Sequence, residues 1–363
     1  MIKKIFFVVI IFTLLYSCKT ISVSEYNAKE QETGNVDYYL PKTAVAIKIK
    51  VERTRFYKGP FSDYSETYLG ISDNIIEKNS TKYKIVQSEI KPYFVNDDSA
   101  HFTVNKGNIS FLTFLNNTKI IEGVNTNESL FENNVYTPQV AGFEDDNFIP
   151  FKDRTVKPLV VEKSDTTWKT VLIDSIFKRV PKINKAIAPR TTKEQAYLAS
   201  RFILKMRKRR LRVLTGMDDI YPDGKAMAII MKKLDEMENR YLSLFTGLVK
   251  KDTVEYIFTF IPDKNNWTKQ LCFFDKKKGI NNNSGNEITI SVNSNTSECN
   301  KITKAKAIVY KIPDISEVTL KNNNNVLLTK YIPLYQAGCY STFKPGKNTK
   351  AVFDITKGNF IVK

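Results

Sequence analysis

The chain is 363 residues long and carries 56 Lys and Arg against 38 Asp and Glu, a formal net charge of +18, with one histidine. That length accommodates two or more ordinary domains, each able to bury its own core. One histidine excludes a multi-histidine metal centre, and any Ser-His-Asp or Cys-His mechanism would rest on His101 alone.

The N-terminus reads as an export signal. Met1-Ile2-Lys3-Lys4 precedes an apolar run from Ile5 to Tyr16, the charged and apolar regions of a secretory leader. A run of about 12 residues is too short for a bilayer, which needs roughly 20. Leu15-Tyr16-Ser17-Cys18 places a small residue before a cysteine, an arrangement similar to the signal that bacterial lipoprotein processing reads. Residues 1–17 are therefore expected to be a signal peptide, and Cys18 the lipidated (palmitate-bearing) first residue of the mature protein. Lys19, standing where Asp would retain the protein at the inner membrane, directs the expectation to the outer membrane, with either face open. Losing Lys3 and Lys4 with the leader leaves 54 basic against 38 acidic side chains, a net +16. An exported protein with that balance would meet lipopolysaccharide phosphates, acidic glycans or anionic lipid rather than nucleic acid. Scattered lysines also read simply as a solvated surface.

Residues 18–36 are polar with little apolar periodicity and predict a flexible tether. From Val45 onward Val45, Ile47, Ile49 and Val51 alternate with Lys48, Lys50 and Glu52, a strand with one wet face. Gly59-Pro60 breaks the chain, and Phe61, Tyr64, Tyr68 and Leu69 predict a short helix stopped by Gly70. Further strands are predicted over 83–90, 101–104, 109–114 and 170–177, completing an N-terminal β-rich domain over 37–185. Its segment 123–158 reads as a long excursion.

Thr191 and Glu194 fit a capping box. Ala199, Phe202, Ile203, Met206, Val213 and Leu214 then recur at helical spacing until Gly216. A second helix shows Met227, Ile230, Met231, Leu234, Met237, Tyr241, Leu244 and Phe245, and stops at Gly247. The two predict an antiparallel helical hairpin over 186–249. Strand patterns return at 254–260, 271–274, 287–292, 307–312, 326–328 and 351–355, separated by Asn-rich turns, and predict a C-terminal β-rich domain over 250–363. The expected fold class is α+β, mainly β, with two sandwich-like domains joined by the hairpin.

Beyond Cys18 there are Cys272, Cys299 and Cys339. An odd number permits one bridge, and Cys272 with Cys299 closes the shortest loop; three buried thiols are the alternative.

Tyr39-Leu40-Pro41-Lys42-Thr43, Gly59-Pro60-Phe61 through Gly70-Ile71, Arg207 to Gly216, Leu234 to Gly247, Val309-Tyr310-Lys311-Ile312-Pro313 and Pro333-Leu334-Tyr335-Gln336-Ala337-Gly338 together resemble a family of uncharacterised Bacteroidota lipoproteins, a domain of unknown function. The resemblance spans most of the mature chain and implies no activity, ligand or catalytic residue. Lys311 departs from it, since Arg is expected there and would make a bidentate contact that Lys does not.

The densest charge feature is Lys205, Arg207, Lys208, Arg209, Arg210 and Arg212. It reads either as an anion-binding patch for lipid or lipopolysaccharide phosphates or as partners for Asp235, Glu236 and Glu238 across the hairpin; pairing is favoured. Acidic clusters at Glu144-Asp145-Asp146 and at Asp218, Asp219 and Asp223 could supply calcium ligands or a glycosidase pair, but their spacing matches no loop signature, and Asp218, Asp219 and Asp223 fit helix-end chemistry better. Trp168, Trp267, Tyr38 and Tyr39 could stack on sugars, though core packing accounts for them. No catalytic residue, metal site or cofactor is predicted. The expectation is a non-catalytic binding or envelope-assembly lipoprotein, membrane-bound through its lipid, whose partner is an envelope protein, a glycan or lipopolysaccharide. A glycan-binding accessory lipoprotein and a hydrolase using the acidic loops are the alternatives.

Overall fold

The computed structural model describes residues 21–27, 35–105, 109–116, 118–143, 148–151, 159–173, 176–217, 224–263, 266–294, 299–346 and 348–363. Residues 1–17, expected to be a signal peptide, and Cys18 lie outside them, as do 144–147 and 218–223 with the acidic clusters.

In chain order the strands are β1 (Ser22–Glu25), β2 (Asn35–Tyr57), β3 (Ser80–Asn105), β4 (Leu112–Phe114), β5 (Ile121–Val124), β6 (Gln139–Val140), β7 (Val160–Ile173) and β8 (Ile176–Pro189). After two long helices come β9 (Leu248–Phe260), β10 (Thr268–Asp275), β11 (Gly279–Asn281), β12 (Asn286–Asn293), β13 (Lys304–Ala305), β14 (Ile308–Asn322), β15 (Asn325–Phe343), β16 (Ala351–Asp354) and β17 (Asn359–Val362). The helices are α1 (Ser65–Leu69), α2 (Thr192–Thr215) and α3 (Gly224–Thr246). The molecule is thus β-rich, as expected.

The chain forms two compact units that are not consecutive: Met1–Glu52, Lys84–Gly142 and Thr253–Lys363 make the first, and Arg53–Tyr83 with Phe143–Asp252 the second. This corrects the division into 37–185 and 250–363. Sheet partners come from both ends of the sequence: β2 lies beside β9, β1 pairs with β13, and β5 pairs with β16. Alternation identifies a strand's faces but not its neighbours.

The first unit holds a six-stranded sheet ordered β13-β1-β3-β2-β9-β6, a five-stranded sheet ordered β11-β10-β12-β14-β15 and a four-stranded sheet ordered β17-β16-β5-β4. In β2 the predicted alternation places Val45, Ile47, Ile49 and Val51 in the core. Ala44 and Ala46 on the other face are also buried, packed under Tyr93 and Tyr136, so that face is covered where its side chains are smallest. One core gathers Tyr38, Leu40, Phe102, Val104, Val124 and Val309; another gathers Phe94, Leu115, Ile120, Tyr335 and Phe353. The predicted tether is corrected at its start. Ser22–Glu25 is a paired strand, with Val23 opposite Val104 and Ala305, and Ile21 and Val23 are buried. Two apolar residues two apart suffice because the β3 edge supplies the rest of the ladder.

In the second unit α2 begins with the predicted capping box, Thr191 Oγ1 accepting from the Glu194 N–H and the Glu194 carboxylate from the Thr191 N–H. Ala196, Ala199, Ile203 and Met206 of α2 pack with Leu244 and Phe245 of α3 and with Phe61. Gly59 is required there, since a Cβ would stand 2.4 Å from the Leu244 carbonyl oxygen. Gly70 and Gly216 end their helices in left-handed backbone at φ 65° and 70°. β7 and β8 form a two-stranded sheet of their own. The strand expected over 170–177 is in fact the closing end of this ribbon.

Candidate functional site

The first unit contains a cleft of about 830 Å³ lined by Lys42, Asp97, Ser99, Asp263, Trp267, Cys299, Asn300, Lys301, Lys311, Gln336, Ala337, Gly338 and Tyr340, within the usual size range of small-ligand sites. Lys42 comes from β2, Asp97 and Ser99 from β3, Lys311 from β14 and Tyr340 from β15. Strands from both ends of the sequence therefore build one site.

Its floor is held by neutral hydrogen bonds. The Gln336 side chain accepts from the Thr43 N–H at 3.0 Å and donates to the carbonyls of Thr43 at 2.6 Å and Pro262 at 3.0 Å. Thr43 Oγ1 donates to the Pro333 carbonyl at 2.9 Å and accepts from the Tyr335 N–H at 3.1 Å. Gly338 permits a close strand approach, because a Cβ there would lie 2.2 Å from the Ile312 carbonyl oxygen.

The charged groups form pairs. Asp97 and Lys311 are each 7 % exposed, and Lys311 Nζ donates to Asp97 Oδ2 at 3.2 Å while lying 5.1 Å from the centre of the Tyr340 ring. Ser99 donates to Asp97 Oδ1 from its hydroxyl at 2.6 Å and its N–H at 3.2 Å. Burial pushes the Asp97 carboxyl upward, but these bonds and the Lys311 charge outweigh it and hold the group below the usual carboxylate range. Lys301 pairs with Glu25 of β1 at 2.5 Å, and that carboxylate raises its pKa. Lys42, Asn300 and the Trp267 indole make no hydrogen bond or ion pair among the described residues, so they are the groups that can turn to a ligand. Asp97, held ionised with both oxygens engaged, is a poor proton donor.

The disulfide corrects the expected Cys272–Cys299 pairing. Cys299 is bonded to Cys339, with Cα atoms 5.3 Å apart, fixing the segment that carries Asn300 and Lys301 onto β15. Cys272 is 4 % exposed on β10, and burial pushes its thiol up to about 12. The shorter loop favours closure in an unfolded chain, but native proximity decides the bond.

The basic run divides. Arg207 Nε donates to Glu238 at 2.8 Å, and Arg210 pairs with Glu238 and, at 2.6 Å, with Asp235. Lys205, Lys208, Arg209 and Arg212 are exposed, so the six do not converge on one anion seat. His101 lies between the rings of Tyr26 and Tyr39, with centroids 3.9 and 4.0 Å away. Its Nε2 is buried without a partner among the described residues, and burial lowers its pKa. Among the described residues no group of three His, Cys, Asp or Glu is placed to hold a metal, and no helix is long and apolar enough to cross a membrane.

A family model described as a domain of unknown function, DUF4831, matches residues 34–149 and 179–360. The chain belongs to this family. No curated protein and no solved structure matches it. Three of the DUF4831-like segments singled out in the sequence, 39–43, 309–313 and 333–338, meet at the cleft through Thr43, Lys311 and Gln336. Asp97 had no sequence signal of its own, because Asn96-Asp97-Asp98 reads as a polar break between two strands rather than as the middle of β3.

Proposed function

We propose that this is a lipid-anchored outer-membrane lipoprotein of the Bacteroidota type that acts as a non-catalytic binding or assembly module, with the cleft of the first unit as its ligand seat. The observation that carries the reading is the division of labour in the cleft. Asp97, Lys311, Lys301 and Gln336 are committed to internal partners, whereas Lys42, Asn300 and Trp267 are not. Such a site is organised for recognition rather than proton transfer: its carboxyl, Asp97, is held below the usual range and its Lys301 above the usual one, whereas acid–base catalysis tunes a carboxyl up or a lysine down toward the working pH. The Cys18 signal supports the anchor.

Within this reading a glycan is the ligand class favoured by the lining. An indole and a phenol ring beside a cation, an amide and a hydroxyl offer the stacking and hydrogen-bonding groups that sugars require. The test is a glycan and lipopolysaccharide array probed with the chain from residue 19 onward, alongside a pull-down of the lipidated protein from envelope extracts. Binding lost in Trp267→Ala and Lys42→Ala, with an unchanged melting temperature, supports the cleft. A blank array with a defined envelope protein recovered would move the reading to assembly. Binding that survives both substitutions would remove the cleft from it.

A further inference from the structure

β7 and β8 run antiparallel through a continuous register from Val160↔Pro189 to Ile173↔Ile176. A two-stranded ribbon is marginally stable alone, and every described residue of these strands except Val161 and Ala188 is exposed. Ile183 and Ile187 carry exposed apolar surface along one face of the ribbon, but only at its closing end is the surface apolar on both faces. Phe177 is 76 % exposed and Trp168 62 %, and Val171, Leu172, Ile173, Ile176 and Val180 are exposed with them.

Alternation and register place Trp168, Leu172, Phe177 and Pro181 on one face and Val171, Ile173, Ile176 and Val180 on the other. A protein lying against the ribbon would cover one face. An apolar end on both faces is buried at once only by a medium that surrounds it. The charges fall just behind that end, where Lys178 is opposite Val171, Arg179 opposite Thr170, Lys169 opposite Val180 and Lys182 opposite Thr167. In the sequence the stretch 168–182, Asp174 included, carries a net +3. We propose that the β7–β8 tip inserts into the interface of a membrane bearing anionic headgroups, a contact independent of both the Cys18 anchor and the cleft.

The spacing suits that role. The first two pairs reach about 7 Å from the end at ~3.3 Å per residue, comparable with the ~5–10 Å burial of interfacial elements. Lys178 and Arg179, two and three pairs back from the end, then stand level with headgroup phosphates, with Lys169 and Trp168 farther out. Residues 150–178, which include β7 and the start of β8, fall between the two segments matched by the family model. The tip is therefore a property of this chain that the family description does not carry.

The test uses the chain from residue 19 onward, unlipidated, with phosphatidylglycerol–phosphatidylethanolamine vesicles and with phosphatidylcholine vesicles. The expected result is salt-sensitive cosedimentation with the first and little with the second. Ile176→Ser with Phe177→Ser, and separately Lys178→Glu with Arg179→Glu, should each weaken binding by about tenfold or more without changing the melting temperature, since all four side chains are exposed. Absence of binding to anionic vesicles, or binding that both double variants retain, overturns the proposal. So does a concentration-dependent dimer that the Ile176→Ser, Phe177→Ser pair abolishes, which would assign the tip to a second copy of the chain.

Discussion

Asp97 and Lys311 are buried together, and each is the other's compensation for leaving water. Lys311→Met removes one charge and leaves the carboxylate with only the two Ser99 donors, so it should cost about 3–5 kcal/mol, the range for breaking a buried pair from one side. Urea unfolding reads it directly, and a loss under about 1 kcal/mol would mean that water reaches the pair. His101 makes a second prediction at this scale, with its sign set by burial between Tyr26 and Tyr39. Its folded pKa lies below the ordinary value of about 6.5. As pH falls below that value the unfolded chain takes the proton first, so the stabilising contribution is whole above it and is lost as pH falls through the lower folded value. Relative to His101→Phe, the natural protein should therefore lose stability on acidification through this window. A constant difference between the two unfolding midpoints across that range would refute the assignment. The surroundings of His101 were not legible in the sequence, because its flanking rings, Tyr26 and Tyr39, come from other parts of the chain.

Local elements were legible where their signals are local. Thr191 with Glu194 marks the start of α2 and Gly216 its end, and the structure forms both caps. The alternation in β2 and the Asn-rich turn at Asn323, whose φ is 49°, were equally readable. Elements failed where the signal was short or ambiguous. Ile21 and Val23 were too few to mark β1, and strand-forming residues on both sides of Asp174-Ser175 made two strands of a ribbon look like one. The α2 and α3 contacts also decide how the basic run behaves. Glu238, 7 % exposed, accepts from both Arg207 and Arg210, so Glu238→Ala should destabilise by about 2 kcal/mol, the scale of charged hydrogen bonds discounted for two partly exposed guanidinium groups. Alanine at Lys205, Lys208 or Arg209 should change stability by no more than about 0.5 kcal/mol. Chemical denaturation of the four variants tests this contrast, and equal effects would mean that the buried carboxylate does not organise the helix pair.

At the scale of the whole chain, the division into units depends on which strands become neighbours, and no periodicity encodes that. β1 is the sharpest case, because it ties the first described residues into a sheet whose other members lie as far on as Lys304 and Ala305. If Cys18 bears the proposed lipid, the four steps to Ser22 span at most about 14 Å, so the sheet stands close to the bilayer rather than at the end of a long leash. The same strand makes the starting point of any soluble fragment consequential. A fragment beginning at Tyr38 loses Ile21 and Val23 from the core, the ladder from Ser22↔Asn105 to Glu25↔Phe102, the partner of β13, and the Glu25 partner of Lys301 at the cleft. Two buried aliphatic side chains at about 1.5–3 kcal/mol each predict that it is less stable than the chain from residue 19 by about 3–6 kcal/mol, an upper value because the unfolded chain also buries some surface. Comparing the urea midpoints of the two forms measures the difference. Equal midpoints would show that β1 rests on a sheet already complete without it; the predicted loss, accompanied by weaker cleft binding, would make the first strand after the anchor part of both the fold and the site.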